Sequence, residues 1–401
     1  MPSNLRIIND STPIDLLFPK DFGRGLEPGN GFGTALGYAG VAEPFPSDRL
    51  IPRSEWQARI EERKARKLTT RDMARKAGWA VKNQASTPYC HTADTEVLTE
   101  RGWVRWPEYN WSDSLGTMNP VTGMLEFQAP IQRHEYEYDG EICYSTHKRL
   151  DFAVTPDHGM LVKRRVGRDR AFESGYSIMR AGELRDIYKL PHATSGFIGT
   201  ELVEVGVPGG RTYDGDDFVQ LVSYIVADGY AAGADSSNAV GFCCYDPRRY
   251  HHAAALAARC GFKENGSKPG DFRTWDGALA QWVRANCYVS PELGSHNKKV
   301  PELLKWVSER QIRIFLSVYG DQNHGRPGTH YFSTSKRAVD DLQELFLRVG
   351  RRATITQVIK PHRNVLANGV VIETKHPLYE LYPAISDRLN FMGRRHMERE
   401  R

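Results

Sequence analysis

The chain has 401 residues, 40% of them hydrophobic and 26% charged, with 54 Lys plus Arg against 49 Asp plus Glu and a net charge of +5. One core rarely serves such a length, so two or three domains are expected, and the mild charge permits a nucleic-acid partner without demanding one. The sequence holds no apolar run of about 18 residues to span a bilayer, and its start shows no secretory signal, so no membrane association and a cytoplasmic location are expected.

In chain order, residues 1 to about 50 are rich in Gly and Pro and read as an extended arm. "SEWQARIEERKARKLTTRDMARKAG" reads as a helix capped by Ser54, interrupted near Leu68-Thr69-Thr70 and stopped by Gly78. From Cys90 to about Val166 the texture turns to short β-branched and aromatic runs split by Gly, Pro and Asn ("TEVLT", "GWVRW", "GEICYST", "LDFAVTP", "GMLVKRR"), which predicts an all-β module. Helical patterns begin at "FVQLVSYIVADGY" and continue through "RRYHHAAALAARCGF", "WDGALAQWVRANC", "VPELLKWVSERQIRIFLSVYG" and "SKRAVDDLQELFLRVG". The strand-like "NAVGFCCY", "THYFSTS" and "ATITQVI" lie between them, giving a separate α+β module. One helical pattern recurs within it after about 95 residues, a hint of an internal repeat. The six cysteines (Cys90, Cys143, Cys243, Cys244, Cys260 and Cys287) lack C-x-x-C spacing and fit reduced thiols better than disulfides or a zinc site.

Cys90 stands between two textures. Upstream, "IPRSEW" and "VKNQASTPYC" resemble the start of a papain-like peptidase, in which a Gln six residues before the nucleophile serves the oxyanion hole; Gln84 and Cys90 have that spacing. Such an enzyme should continue into a helix behind the cysteine, and this chain gives a polar turn and strand-like residues instead. "CHTADTEVLTERG" resembles the opening block of an intein. "LDFAVTPDHGMLVKRR" is similar to the second intein block, with T-x-x-H formed by Thr155 and His158. The resemblance implies the horseshoe-like all-β Hint fold over residues 90–195. It also implies that the interrupted host is a papain-like, phage-type peptidase whose N-terminal fragment is residues 1–89, in a bacterial or phage-infected cell.

Cysteine is what an N-to-S acyl shift requires. Its thiol attacks the Tyr89 carbonyl and turns the Tyr89-Cys90 amide into a thioester, without a cofactor. Amide resonance resists this with a rotational barrier of about 18–20 kcal/mol, and an ordinary thiol of pKa about 8.5 is mostly protonated at neutral pH. Strain, a proton donor and an oxyanion donor are therefore needed. The resemblance assigns His158 as proton donor to the departing nitrogen and Thr155 as the polar contact holding the scissile peptide.

"LVSYIVADG", Leu221 to Gly229, resembles the LAGLIDADG motif of homing endonucleases, in which two helices pack closely and each delivers an acid to a site for Mg²⁺ and phosphate. Ser223 and Ala227 suit the contact, and Asp228 with Gly229 suits the tip. The second copy is "FLSVYGDQNHG", where Asn323-His324 replaces the family's Asp-Gly and Asp321 lies two residues earlier. The expected Mg²⁺ ligands are Asp228, Asp321 and Asn323. The substitution leaves cleaving, nicking and decayed nucleases open. The resemblance covers residues 196–401, with a core at about 215–358 and a pseudo-twofold monomer. Its expected partner is a double-stranded DNA target contacted by Lys298, Lys336, Arg351 and Arg352.

An intein ends in His-Asn before Cys, Ser or Thr, and the tail "RLNFMGRRHMERER" contains no such junction. A C-terminal intein fragment with its flanking host segment, as in a split intein, is therefore an expected partner. Two other readings are a papain-like peptidase with an insertion, which predicts a catalytic His and Asn downstream, and a DNA-binding module without catalysis.

Overall fold

The computed structural model describes residues 90–392 and 398–400, apart from 132, 136, 137, 139, 148, 149, 167–170, 185–187, 192, 234–237, 323–329, 359–362, 366–370, 374, 375 and 385–389. The expected arm over 1–50, the helix over 54–78, Gln84, Tyr89 and Asn323 lie outside the described residues.

Strands β1 (Glu96–Thr99), β2 (Gly102–Arg105), β3 (Leu115–Met118) and β4 (Leu125–Gln128) form an antiparallel sheet in the order β2-β1-β3-β4. Its first hairpin closes at Gly102, whose φ of 99° is left-handed territory that suits glycine, and the Thr99 hydroxyl donates to the Gly102 carbonyl at 2.9 Å. Strands β5 (Ile142–His147) and β6 (Leu150–Val154) make a second hairpin that sets Cys143 opposite Val154, both fully buried. The long β7 (Gly159–Val166) divides its length among β8 (Ala171–Phe172), β9 (Ser177–Arg180) and β10 (Tyr188–Leu190). Alternation of β-branched and polar residues, the signal expected of half-buried strands, is what placed these segments in sheets.

The second region opens with the hairpin β11 (Glu204–Gly206) and β12 (Thr212–Asp214). Helix α1 (Gly215–Asp228) follows, capped by the Asp214 carboxylate, which accepts from the Asp216 and Asp217 amides. Next come β13 (Tyr230–Ala231), β14 (Val240–Cys243), α2 (Pro247–Arg259), β15 (Lys263–Glu264), β16 (Asp271–Thr274), α3 (Gly277–Asn286), α4 (Glu302–Lys305) and α5 (Glu309–Gln322). Then β17 (Tyr331–Ser333), α6 (Lys336–Arg348), β18 (Ala353–Val358), the small hairpin β19 (Arg363–Val365) with β20 (Val371–Glu373), and β21 (Leu378–Pro383) complete it.

The pattern repeats. After α1, the strands flanking α2 pair in the order β14-β16-β15; after α5, those flanking α6 pair in the order β17-β21-β18. Apart from β13 at the edge of the first sheet and the β19–β20 hairpin in the second copy, helix, strand, helix, strand, strand, with the last strand in the interior of the sheet, occurs twice. One core runs through both copies, with Phe218, Leu221, Ile225, Phe242, Phe272, Phe315, Phe346 and Leu381 among its buried members. In the β module, Cys143, Val154 and Ala181 form one small cluster and Val162, Leu184, Tyr188 and Leu190 another.

Two features differ from expectation. The stretch from Pro301 to Gln322 is two helices, because residues 306–308 are drawn into a bridge with Thr200, whose amide donates to Trp306 O and whose carbonyl accepts from Ser308 N, both at 2.9 Å. The expected 196–401 unit also does not keep its own tail: β22 (Asn390–Met392) pairs antiparallel with β10, and β23 (Glu398–Glu400) with β5. Both ends of the described chain thus meet in the β module.

The helical region is also fastened to the β module by α6. Arg348 is fully buried, its guanidinium 2.6 Å from Glu344 and 4.4–5.0 Å from the ring centroids of Phe127, Phe197 and Trp306. Beside it the buried Lys305 ammonium lies 2.8 Å from Asp341 and 2.9 Å from Glu344. Burial opposes that charge, and the Asp341, Glu344 and Glu302 carboxylates outweigh it, holding Lys305 above the usual lysine range. Arg337, paired with Asp341, reaches across to the Arg101 carbonyl at 2.7 Å. Among the described residues no helix is long and apolar enough to cross a membrane, and all six cysteines are unbridged.

Candidate functional site

Residues 90–92 run antiparallel to 153–155, joined by the His91–Val154 bridge and by the Thr92 amide donating to Ala153 O at 3.1 Å. This pairing sets Cys90 against Thr155. The Cys90 amide donates to Thr155 Oγ1 at 3.0 Å, and the Thr155 amide donates to Cys90 O at 2.9 Å. Thr155 thus holds the nitrogen that an acyl shift would release, and holds the same residue's carbonyl on the other side.

The spacing of Thr155 and His158 has a local cause. Thr155-Pro156-Asp157-His158 is a turn closed by the His158 amide donating to Thr155 O at 3.0 Å, with Pro at the position that favours its fixed φ. The turn is held from behind by the Ala181 amide donating to His158 O at 2.8 Å and the Gly182 amide donating to Pro156 O at 2.6 Å. Thr155 and His158 are both buried. Against the His158 ring stands the exposed His91 ring, edge to face, with centroids 4.3 Å apart. Cys90 is half-buried, and burial pushes its thiol up to about 12. Left alone, this thiol is protonated at neutral pH, so any nucleophilic role needs help in losing its proton.

In the second region α1 and α5 run side by side in the same direction. Near their starts Arg310 pairs with Asp216 at 2.7 Å, and Gln311 Nε2 donates to the same carboxylate at 2.9 Å. At mid-length the buried Ser223 hydroxyl donates to Phe315 O at 2.7 Å. The ends carrying Asp228 and Gln322 therefore lie at one end of the pair. Gly229 allows the chain to leave α1 tightly, since a Cβ there would lie 2.5 Å from Ile225 Cα and 2.7 Å from Gly241 O.

Beneath that end lies Lys298, assigned above to surface phosphate contact. That assignment is corrected: Lys298 is buried, and its ammonium donates to Ile225 O at 3.0 Å and Ala227 O at 3.4 Å, carbonyls of the last turn of α1, the first of which also accepts from the Gly229 amide. Burial drives its pKa down to about 8, with the Asp228 charge opposing. Asp228 itself is exposed at the tip. It is the one expected metal ligand whose side chain is described, since the side chain of Asp321 and all of Asn323 lie outside the described residues. Among the described residues no group of three or more His, Cys, Asp or Glu is placed to hold a metal ion, so the described donor set does not amount to a Mg²⁺ site.

The other expected DNA contacts are spread out. Lys336, on the first turn of α6, pairs with Asp340, whereas Arg351 and Arg352 follow the far end of that helix. Arg351 donates to Ala384 O at 2.8 Å and packs over Phe346, which makes it in part a structural residue. Sequence reasoning overlooked His91, although it adjoins Cys90, and the buried Lys305, Glu344 and Arg348, which nothing in a helical charge pattern marks as buried.

No profile of a known protein family matches the chain. Over short stretches it is similar to several curated proteins. One is an ATP-dependent Clp protease proteolytic subunit of Chlamydomonas moewusii, 35% identical over 75 residues; another is a DNA-directed RNA polymerase subunit beta C-terminal section of Stigeoclonium helveticum, 34% identical over 79 residues. These matches cover 19% and 20% of this chain and 7% of each relative, so the chain spans a small part of their length.

Proposed function

We propose that the β module is an autocatalytic splicing module of the intein type, and that the repeated helical region is a LAGLIDADG-like DNA-binding unit carried within it. The observation that bears most weight is the Thr155 hydroxyl accepting from the Cys90 amide at 3.0 Å. It engages the leaving nitrogen of the Tyr89-Cys90 bond, from the turn that also carries His158.

In the acyl shift the Cys90 sulfur bonds to the Tyr89 carbonyl carbon, and the bond from that carbon to the Cys90 nitrogen breaks. The sulfur loses a proton and the nitrogen gains one. Thr155 fixes the nitrogen before the reaction, and its amide on Cys90 O restrains rotation of the residue. His158 supplies the proton that makes the nitrogen a better leaving group. Enclosure of the thiol keeps it from reacting with solvent electrophiles until a base removes its proton. Ligation of the flanking segments would draw the remaining junction chemistry from a complementary C-terminal fragment.

The test is incubation of the full chain with dithiothreitol or mercaptoethanesulfonate. Release of a fragment ending in Tyr89, absent in Cys90→Ala, supports the proposal; no thiol-dependent release from the wild type refutes it.

For the helical region, the parallel α1–α5 pair with an exposed carboxylate at its tip and a buried amine beneath supports duplex DNA as the ligand. Lys298 orders the α1 end by donating to its carbonyls. Binding to duplex DNA that weakens steeply between about 50 and 200 mM salt is expected, and its absence would remove this half of the proposal.

A further inference from the structure

His158 is buried, yet the acyl shift asks it to give up a proton and to recover one. Its way to solvent needs a carrier. The His91 ring lies against it, edge to face at a centroid distance of 4.3 Å, and His91 is itself exposed. That placement is fixed by backbone, because His91 is bridged to Val154 and its neighbours 90 and 92 are hydrogen-bonded to 155 and 153. An imidazole is the side chain able to accept and donate a proton near neutral pH without a large energetic penalty in either direction.

We propose that His91 is the proton relay of the Cys90 site, passing a proton drawn from water to the buried His158 as His158 protonates the departing Cys90 nitrogen, so that the two transfers belong to one step. The inference rests on the splicing reading above. Protons balance: the sulfur releases one to solvent, the nitrogen takes one from His158, His158 takes one from His91, and His91 takes one from water. Other titratable groups on the surrounding elements are the Cys90 thiol, the buried Asp94, Asp157 paired with Arg180 at 3.3 Å, and Glu183 in the turn after β9. The structure sets the His91 ring directly against that of His158. His91 acts through His158 and is a positioning and relay residue rather than a catalytic one.

The experiment is thiol-induced release of residues 1–89 from the full chain between pH 6 and 9, for wild type, His91→Phe and His91→Gln, with folding checked by circular dichroism. His91→Phe keeps a ring against His158 and removes the transferable proton. It should slow release about tenfold at pH 7.5, within the range of acid–base effects, with the deficit growing as pH rises and hydronium becomes scarcer. Added imidazole should restore much of the rate, because the position is open to solvent. Wild-type rate in His91→Phe, or a loss in both variants that imidazole leaves untouched, overturns the relay while leaving the splicing reading standing. Absence of thiol-dependent release from the wild type overturns both together.

Discussion

At the scale of single residues, burial sets what the Cys90 thiol can do. With its thiol pushed up to about 12, its alkylation by iodoacetamide should keep rising about tenfold per pH unit well above pH 9, where an exposed thiol of pKa about 8.5 has levelled off. Peptide mapping by mass spectrometry at several pH values reads this out, and a plateau near pH 9 would contradict it. Thr155→Val removes the acceptor for the Cys90 amide. At a cost of about 1–3 kcal/mol for the lost bond, thiol-induced release should slow by roughly 5- to 150-fold, with Thr155→Ser staying near wild type. Equal rates in Thr155→Val would separate that hydroxyl from the chemistry. Lys298 bears on stability through linkage. Its folded pKa of about 8 lies below the unfolded value near 10.5, so between these pH values the unfolded chain holds more protons and stability rises with pH. Below pH 8 the buried charge costs up to about 3 kcal/mol. Urea denaturation of wild type against Lys298→Met should show this gain between pH 8 and 10.5 in the wild type alone. Thr155 and His158 were singled out by the resemblance of "LDFAVTPDHGMLVKRR" to an intein block, and the structure sets them on one turn; what His91 and Lys298 touch could not be read, because a bridge and a helix end far away in sequence determine it.

At the scale of elements, the α1–α5 pair depends on a small polar residue at the contact. Ser223→Ala deletes the buried hydroxyl that reaches Phe315 O and should cost about 1 kcal/mol, whereas Ser223→Leu should cost about 1–3 kcal/mol or more by forcing the helices apart. Urea midpoints measure both, and an unchanged Ser223→Leu would show the contact to be loose. Most elements could be read beforehand: the strands from "TEVLT" to "GMLVKRR" and five helical patterns lie where alternation and 3.6-residue periodicity put them. The break after Lys305 escaped, since "KWVSERQ" contains no Pro or Gly and a strand partner at Thr200 is invisible to local pattern. The order β14-β16-β15, matched by β17-β21-β18, could not be foreseen either, because pairing order is settled by which faces find each other in the core.

At the scale of the whole molecule, the two regions share one buried ion network and its aromatic enclosure. Glu344→Gln would strand the buried cations of Lys305 and Arg348 with too little countercharge, a loss expected to cost about 3–5 kcal/mol. Hydrogen exchange should then rise in both β2 and α6; a rise confined to α6 would mean that the regions are stable independently. The pairing of β23 with β5 reaches further. Ile142 and Glu400 are register partners although they are about 260 residues apart, and β5 carries the hairpin strand beside which residues 90–92 lie. During translation at roughly 5–20 residues per second, Cys90 leaves the ribosome long before the outer strand β23 has been made. The molecule therefore carries a clock, set by the length of the helical region, that separates the emergence of Cys90 from that of the strand pairing with β5 by roughly 15 to 60 seconds.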